Sequence, residues 1–87
     1  MRVTLTEIIE KFDTLAADSE SREAIASFAT CAMEADDSGL LEMEPASAAE
    51  TIWKALTYLS GVDLKDEPNR YLHSAQDFAD YRKILNL

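Results

Sequence analysis

The side chains most able to do chemistry are one cysteine, one histidine and a few acids. Cys31 and His73 are the only residues of their types, and they stand far apart in the chain. A catalytic thiol needs a histidine or a cation beside it, and a zinc site needs several ligands at close spacing. We therefore predict no metal site, and Cys31 is expected to be a small buried side chain on a helix. A Cys31–His73 pair is the minor alternative.

Other arrangements typical of catalysis also fail on spacing. His73, Ser74 and Asp77 could suggest a hydrolytic triad, but Ser and Asp three positions apart are better explained as a helix capping box. The stretch from Asp36 to Gly39 begins like a calcium loop and then continues with two leucines. No glycine-rich stretch with a lysine is present to hold phosphate. The sequence predicts a protein that is not an enzyme and has no cofactor.

The chain is strongly acidic, with 17 acidic and 8 basic side chains and a net charge of −9. Such a field repels nucleic acid and anionic membranes and attracts basic proteins. Arg70, Arg82 and Lys83 cluster loosely near the end of the sequence, where they are expected to complement the dipole of the last helix. No apolar run approaches the ~20 residues of a membrane span, and the first residues lack a signal-peptide core. We therefore predict a cytoplasmic protein that contacts neither membrane nor nucleic acid directly.

Two stretches combine carboxylates with an apolar or aromatic side chain. Acids steer a basic partner, and a methionine or tyrosine among them supplies a contact that excludes water. The alternative is that both stretches are solvated loops over core residues. The predicted partner-binding residues are Asp36, Asp37, Glu42, Met43 and Glu44 in the first stretch and Asp63, Asp66, Glu67 and Tyr71 in the second.

The elements that must position these residues are helices. Apolar side chains recur at helical spacing over residues 5–17, from an N-cap at Ser19 to residue 35, over 46–60 and over 75–85. Thr4 with Glu7 and Ser74 with Asp77 form capping boxes. These segments predict a compact all-α bundle of four amphipathic helices, in a single domain spanning residues 1–87.

The connectors carry their own signals. Gly39 and Gly61 are placed to end the second and third helices in the left-handed conformation. Trp53, the largest apolar side chain, is expected at the centre of the core. Apolar residues in the connectors should turn inward and hold them to the core: Leu40, Leu41, Met43, Leu64, Tyr71 and Leu72.

Scattered positions between residues 21 and 85 resemble a family. They are Ser21-Arg22-Glu23, Ala35-Asp36-Asp37, Trp53-Lys54-Ala55-Leu56, Leu59, Gly61, Asp63-Leu64, Tyr71-Leu72-His73 and Asp77-Phe78. The sequence is similar to small acidic helical immunity proteins of bacteria, of the colicin-D-immunity and contact-dependent-inhibition types. That resemblance implies a non-enzymatic inhibitor that covers the basic active site of a toxin nuclease with an acidic surface.

Two function classes follow. The leading hypothesis is an immunity-type inhibitor whose partner is a basic protein, a toxin nuclease domain. The alternative is a small adaptor or regulatory subunit that forms a homodimer through an apolar helix face. A small enzyme is the third and weakest hypothesis, because it would need a pocket with convergent titratable groups.

Overall fold

The computed structural model describes residues 1–68, 70–71 and 74–87, and at positions 66 and 67 it describes the backbone alone. The elements in chain order are β1 (Arg2–Thr4), α1 (Leu5–Ala16), α2 (Arg22–Asp37), β2 (Glu42–Glu44), a 3₁₀ turn (Ala46–Ala48), α3 (Ala49–Leu59), β3 (Lys65–Glu67), β4 (Arg70–Tyr71) and α4 (Ala75–Ile84). The protein is mostly helical, as predicted, but it is not purely all-α. In the described parts of the chain, no helix is both long enough and apolar enough to cross a membrane.

The first helix begins and ends at local signals. Thr4 lies in extended backbone before α1, and its Oγ1 accepts a hydrogen bond from the backbone N–H of Glu7 at 3.1 Å. After α1, Asp18 adopts the left-handed conformation (φ 54°), which a short polar side chain tolerates. The predicted helix over residues 5–17 is therefore confirmed to within a residue. Its buried face carries Ile8, Phe12 and Leu15.

The start of α2 differs from the prediction. Ser21 caps this helix, because its Oγ accepts a hydrogen bond from Ala24 N at 3.1 Å. Ser19 was predicted to be the cap, but its own N–H donates to Thr14 O at 3.0 Å, so Ser19 belongs to the turn that ends α1. At the far end, Gly39 takes the predicted left-handed conformation with φ 70°. α2 packs against α3, and its buried residues are mostly small: Ile25, Ala26, Ala29 and Ala32.

A parallel pair of strands was not predicted. Residues 2–4 of β1 pair in register with residues 42–44 of β2, and Val3 of β1 is fully buried. The Met1 ammonium donates to Leu40 O at 2.8 Å at the edge of this pair. Leu40 was expected to turn inward, but its side chain is 66% exposed. The connector between α2 and α3 contains a strand because its backbone groups pair with β1. Side chains along a strand point to alternate faces, and this directs Met43 toward the core.

Trp53 is not at the centre of the core. It is half-buried and packs at the margin, whereas Ile52, Leu56 and Leu59 of α3 are fully buried. Successive helical residues point about 100° apart, so the face that buries Ile52 turns Trp53 aside.

Gly61 was predicted to be left-handed, but among the described residues Gly39 is the only glycine with a positive φ. The turn after α3 stays helical instead.

Four aromatic rings join α1, α3 and α4. Tyr58 and Tyr81 stack with ring centroids 3.9 Å apart, and Phe12 stacks 6.1 Å from Tyr58. Phe78 meets Tyr58 edge to face at 6.5 Å. Phe12 and Phe78 are 2% and 1% exposed, so these rings form much of the centre of the core.

The predicted long connector before α4 contains an antiparallel hairpin, which is β3 with β4. Lys65 pairs with Tyr71, and Glu67 pairs with Arg70 across an irregular register. Leu64 was expected to hold this connector to the core, but it is 55% exposed. The predicted capping box at the start of α4 is confirmed. Asn69 and the predicted anchor Leu72 lie outside the described residues, as does His73 of the Cys31–His73 alternative.

Candidate functional site

The first acidic stretch is spread along the end of α2 and along β2. Asp36 and Asp37 are exposed in the last turn of α2, and Glu42 and Glu44 are exposed on β2. Met43 between them is half-buried and packs against the core. Glu44 also lies 3.7 Å from Arg2 across the parallel pair. Among these residues the exposed side chains are acids, and the partner-binding role predicted for the stretch stays a prediction.

The second stretch is drawn together by the hairpin. Asp63 is half-buried in the turn after α3, and Tyr71 is half-buried on β4. The side chains of Asp66 and Glu67, also predicted to bind a partner, lie outside the described residues. Tyr71 was predicted to be a contact residue among acids, and in the structure both cations and acids surround it: Arg22, Lys65, Glu23 and Asp63.

Two cations lie over the Tyr71 ring. The Arg22 guanidinium carbon is 4.2 Å from the ring centroid, and Lys65 Nζ is 5.0 Å from it. Arg22 also lies 4.9 Å from the centre of the Phe78 ring. A cation over an aromatic face is attracted by the ring's electron density. These contacts bring the first residue of α2, the hairpin and α4 together.

A hydrogen bond fixes the Tyr71 ring in this position. Its hydroxyl donates to Glu23 Oε1 at 2.5 Å. The hydroxyl of Tyr71 lowers the pKa of the Glu23 carboxyl, helped by a backbone hydrogen bond and by Lys65 and Arg22. The same bond, with a smaller contribution from Asp63, raises the pKa of the Tyr71 hydroxyl. At neutral pH the pair is a neutral phenol and a carboxylate.

Arg70 adds a third cation to the same hairpin. It precedes Tyr71 on β4 and is exposed. Because successive strand residues point to opposite faces, Arg70 and Tyr71 project from opposite faces of the ribbon. The hairpin thus carries Lys65 and Tyr71 toward α2 and Arg70 away from it. We call the set Arg22, Lys65, Arg70 and Tyr71 the hairpin cluster.

Several cations elsewhere lie beside a carboxylate. Arg2 pairs with Glu44, and the other pairs are Lys11 with Glu20 at 3.3 Å, Lys54 with Glu50 at 3.3 Å and Arg82 with Asp13 at 2.8 Å. Such exposed pairs are screened by water and contribute little to stability. The hairpin cluster differs from these pairs because it brings several cations together at one place.

Two further expectations concern Cys31 and metal binding. Cys31 was expected to be buried, but it is exposed on α2. The helix buries Ala29 and Ala32 instead, which turns position 31 outward. Throughout the described residues, no group of three or more His, Cys, Asp or Glu side chains is placed to hold a metal ion.

Sequence reasoning missed the partnership of Arg22 with Tyr71. The two residues are 49 positions apart and belong to different elements, so no local pattern connects them. The available signal was that Lys65, Arg70 and Tyr71 fall within one connector.

Comparison with known proteins identifies a family. Residues 2–84 match the family model described as YxzC DNA-binding protein. The chain is also 34% identical over 79 residues to a Bacillus subtilis (strain 168) protein named uncharacterized protein YxzC. That alignment covers 91% of the chain but 59% of the relative's length. No solved structure matches the chain.

These matches correct the functional expectations. Neither match is to an immunity protein, so the resemblance to that family was wrong, and with it the toxin nuclease as partner. The family's description also contradicts a protein-binding inhibitor of a toxin and the prediction that nucleic acid is not a direct partner, but it does not test whether the chain forms a homodimer. Net charge is a poor guide to the ligand here because it does not show where the few cations lie. The chain belongs to the YxzC DNA-binding protein family.

Proposed function

We propose that this protein binds DNA through the hairpin cluster. The family description supplies the class of ligand. The observation that carries the site is the juxtaposition of Arg22 and Lys65 over the Tyr71 ring, with Arg70 exposed on the same hairpin. Cations contact phosphates, and the tyrosine offers an aromatic surface beside them.

The net charge of −9 does not exclude such a surface. At about 0.1 M salt the Debye length is about 10 Å, so carboxylates farther away than this are largely screened at the contact. Glu23 and Asp63 lie close to Tyr71 and remain as local negative charges. They lower the affinity of the hairpin cluster for phosphate.

The shape of the hairpin suits a DNA groove. A two-stranded antiparallel ribbon fits the major groove, which is about 12 Å wide. β3 and β4 form such a ribbon, and Arg70 on β4 is exposed. Arg22 stands at the start of α2, where the helix dipole also favours an anion. We therefore place the ribbon against the groove, with Arg22 at a flanking phosphate.

α3 is a weaker candidate for the groove. On α3 the exposed residues include one cation, Lys54, and it is paired with Glu50. A recognition helix instead presents several basic or amide side chains to the bases. The hairpin, not α3, is therefore assigned to DNA.

Few phosphate contacts imply weak and mostly sequence-independent binding. Three cations neutralise about three phosphates, and non-specific affinities lie at dissociation constants of about 10⁻⁴ to 10⁻⁶ M at physiological salt. Because the rest of the protein is acidic, its DNA affinity is expected toward the weaker end of this range. The chain covers 59% of the length of its relative, so the affinity of a longer protein is a separate question.

Matched double variants test this assignment. Lys65→Gln with Arg70→Gln removes two cations from the hairpin, and Arg2→Gln with Lys54→Gln removes two from elsewhere. Fluorescence anisotropy with a labelled duplex measures the affinity, and circular dichroism confirms the fold. At about 0.1 M salt, counterion release makes each lost phosphate contact cost about tenfold. The hairpin variant should bind about a hundredfold more weakly, and the control should lose far less because it lacks direct contacts.

Two outcomes would reject the proposal. If the unmodified protein shows no binding at low salt, it does not bind DNA in this form. If both double variants lose affinity equally, only net charge matters and the hairpin is not the interface. Arg22→Gln is measured separately, because Arg22 also packs on Phe78 and its loss could disturb the fold.

The absence of enzymatic activity and the cellular location are also part of the proposal. We propose that the protein is not an enzyme, since DNA contact through cations and an aromatic ring requires no catalytic group. A DNA ligand also fits the predicted cytoplasmic location. Of the nine residues predicted from sequence to bind a partner, Tyr71 belongs to the proposed interface.

A further inference from the structure

The carboxylate of Glu23 lies among the groups that the hairpin cluster offers to an anion. The Tyr71 hydroxyl donates to Glu23 Oε1 at 2.5 Å, which is at the short end of the range for a hydroxyl and an anion. Arg22 and Lys65 lie over the same tyrosine ring, and their charges help this hydrogen bond to lower the pKa of the Glu23 carboxyl. One hydroxyl and two cations therefore stabilise negative charge at this position.

The place of Glu23 on its helix also favours an anion. Glu23 is in the first turn of α2, where the helix dipole stabilises negative charge, and Ser21 rather than Glu23 caps the helix. A carboxylate and a phosphodiester are both oxyanions that accept hydrogen bonds from hydroxyls and cations. Glu23 thus meets the cations that the proposed function assigns to DNA phosphates.

Glu50 shows what an acid does at the same helix position elsewhere. It is the acidic residue in the first turn of α3, and it is exposed like Glu23. Its carboxylate lies 3.3 Å from one cation, Lys54, four positions along the same helix. Glu23 is instead held by a hydroxyl 48 positions away on the hairpin. The contact of Glu23 therefore belongs to the hairpin cluster and is not a general property of helix starts.

We propose that Glu23 occupies a phosphate position of the hairpin cluster, and that a phosphate displaces it when DNA binds. This inference rests on the proposed function and adds an autoinhibitory contact to it. In the free protein the carboxylate accepts from the Tyr71 hydroxyl. In the complex a phosphate accepts from that hydroxyl and faces Arg22 and Lys65, while Glu23 turns into solvent, which its exposed position permits. Because the carboxylate is tethered in the same chain, it competes at every encounter and keeps the affinity low.

Two substitutions of Glu23 separate displacement from a simple effect of charge. Glu23→Gln removes the charge and keeps the size of the side chain, and Glu50→Gln is its control with the same charge change at the same helix position. Glu23→Asp keeps the charge, but its side chain is one methylene shorter and cannot hold the 2.5 Å hydrogen bond. Affinity for a labelled duplex is measured by fluorescence anisotropy at about 50 mM salt, where screening is weak. Circular dichroism checks the fold of each variant.

The three variants should differ in DNA affinity. Glu23→Gln should bind about fivefold more tightly, since a charge pair at about 4 Å in water is worth about this factor. Glu23→Asp should also bind more tightly than the unmodified protein, and Glu50→Gln should change the affinity less than twofold. No gain in Glu23→Gln, or an equal gain in Glu50→Gln, overturns the proposal. So does an unchanged affinity of Glu23→Asp beside a gain in Glu23→Gln, because Glu23 would then act as a distant charge.

Displacement also has a readout that does not need DNA. Inorganic phosphate is titrated into the ¹³C-labelled full chain at constant ionic strength, and the side-chain carboxyl resonances are followed. The Glu23 resonance should shift progressively and the Glu50 resonance should not, and Glu23→Gln should bind phosphate about fivefold more tightly. A Glu23 resonance that does not respond to phosphate overturns the proposal. If no variant binds the duplex but phosphate displaces Glu23, the DNA function fails while the autoinhibitory role of Glu23 toward phosphate stands.

Discussion

The relative importance of Phe12 and Trp53 to stability gives a sharp test of the fold. Phe12 is 2% exposed and stacks near Tyr58 and Tyr81. Trp53 is half-buried at the margin of the core. Truncation of a fully buried aromatic residue to alanine costs about 3–5 kcal/mol, because burial is lost and a cavity remains. Trp53→Ala should cost about 2 kcal/mol, since solvent can enter the vacated space and part of the ring is already in water.

Urea unfolding followed by circular dichroism measures both variants. A domain of this size has a free energy of unfolding on the order of 5 kcal/mol, so Phe12→Ala should leave a measurable unfolded population without denaturant. Trp53→Ala should keep a folded baseline and a cooperative transition with a lower midpoint. A stabilising osmolyte restores the baseline of Phe12→Ala, so that both values can be compared in one solvent. If Trp53→Ala costs as much as Phe12→Ala, the tryptophan is a central core residue and the packing described above is wrong.

Three further predictions concern single sites. Burial, with a smaller contribution from Asp77, raises the pKa of Tyr58 to about 12 from the ordinary 10.0. The contribution of the neutral Tyr58 to the free energy of unfolding should be fully present below pH 10 and should be lost as the pH rises toward 12. Tyr58→Phe should remove this loss in a pH series of thermal melts. Gly39→Ala should cost about 1 kcal/mol in urea unfolding from its left-handed backbone alone, because nothing lies within 4 Å of the new methyl group. Gly61→Ala should cost less, and an equal cost would contradict this backbone assignment. Ser74→Ala removes the capping box of α4 and should lower the free energy of unfolding by about 1 kcal/mol. An unchanged melting temperature would show that the cap is dispensable.

The helices could be predicted because their signals are local. Thr4 and Ser74 cap α1 and α4, although only Ser74 shows the reciprocal hydrogen bond of the predicted capping box, and the apolar spacing of both helices matches their buried faces. Residue size was a poorer guide to which side chain lies at the centre of the core. Trp53 lies beside Ile52 on α3, and the position of the helix relative to its neighbours decides which of the two is buried.

The strands could not be predicted because they depend on distant pairing. β1 and β2 have three residues each and are separated by about forty positions, and a parallel pair leaves no hairpin signal between its strands. The segment around Met43 was therefore predicted to be a short connector whose apolar side chains turn inward. Its alternation of acids with apolar residues was the available clue, since strands have this period.

The candidate site was predictable only in part. Tyr71 was identified as a contact residue among acids, but the cations beside it were not anticipated. Arg22 and Glu23 reach it only after α2 packs beside the hairpin, and neither contact leaves a trace in local sequence. The total charge of the chain was correct as a number, but it did not locate the cations.

The salt dependence of DNA affinity tests the central claim most directly. The logarithm of the binding constant is measured between about 50 and about 200 mM salt for the protein and for both double variants. About three phosphate contacts predict a slope of about −2.7 against the logarithm of salt concentration, and the loss of Lys65 and Arg70 should reduce it to about −0.9. The control lacking Arg2 and Lys54 should keep the slope of the unmodified protein. A slope that is the same in the two double variants, or a protein that binds no DNA at the lowest salt, would contradict the hairpin cluster as the DNA interface.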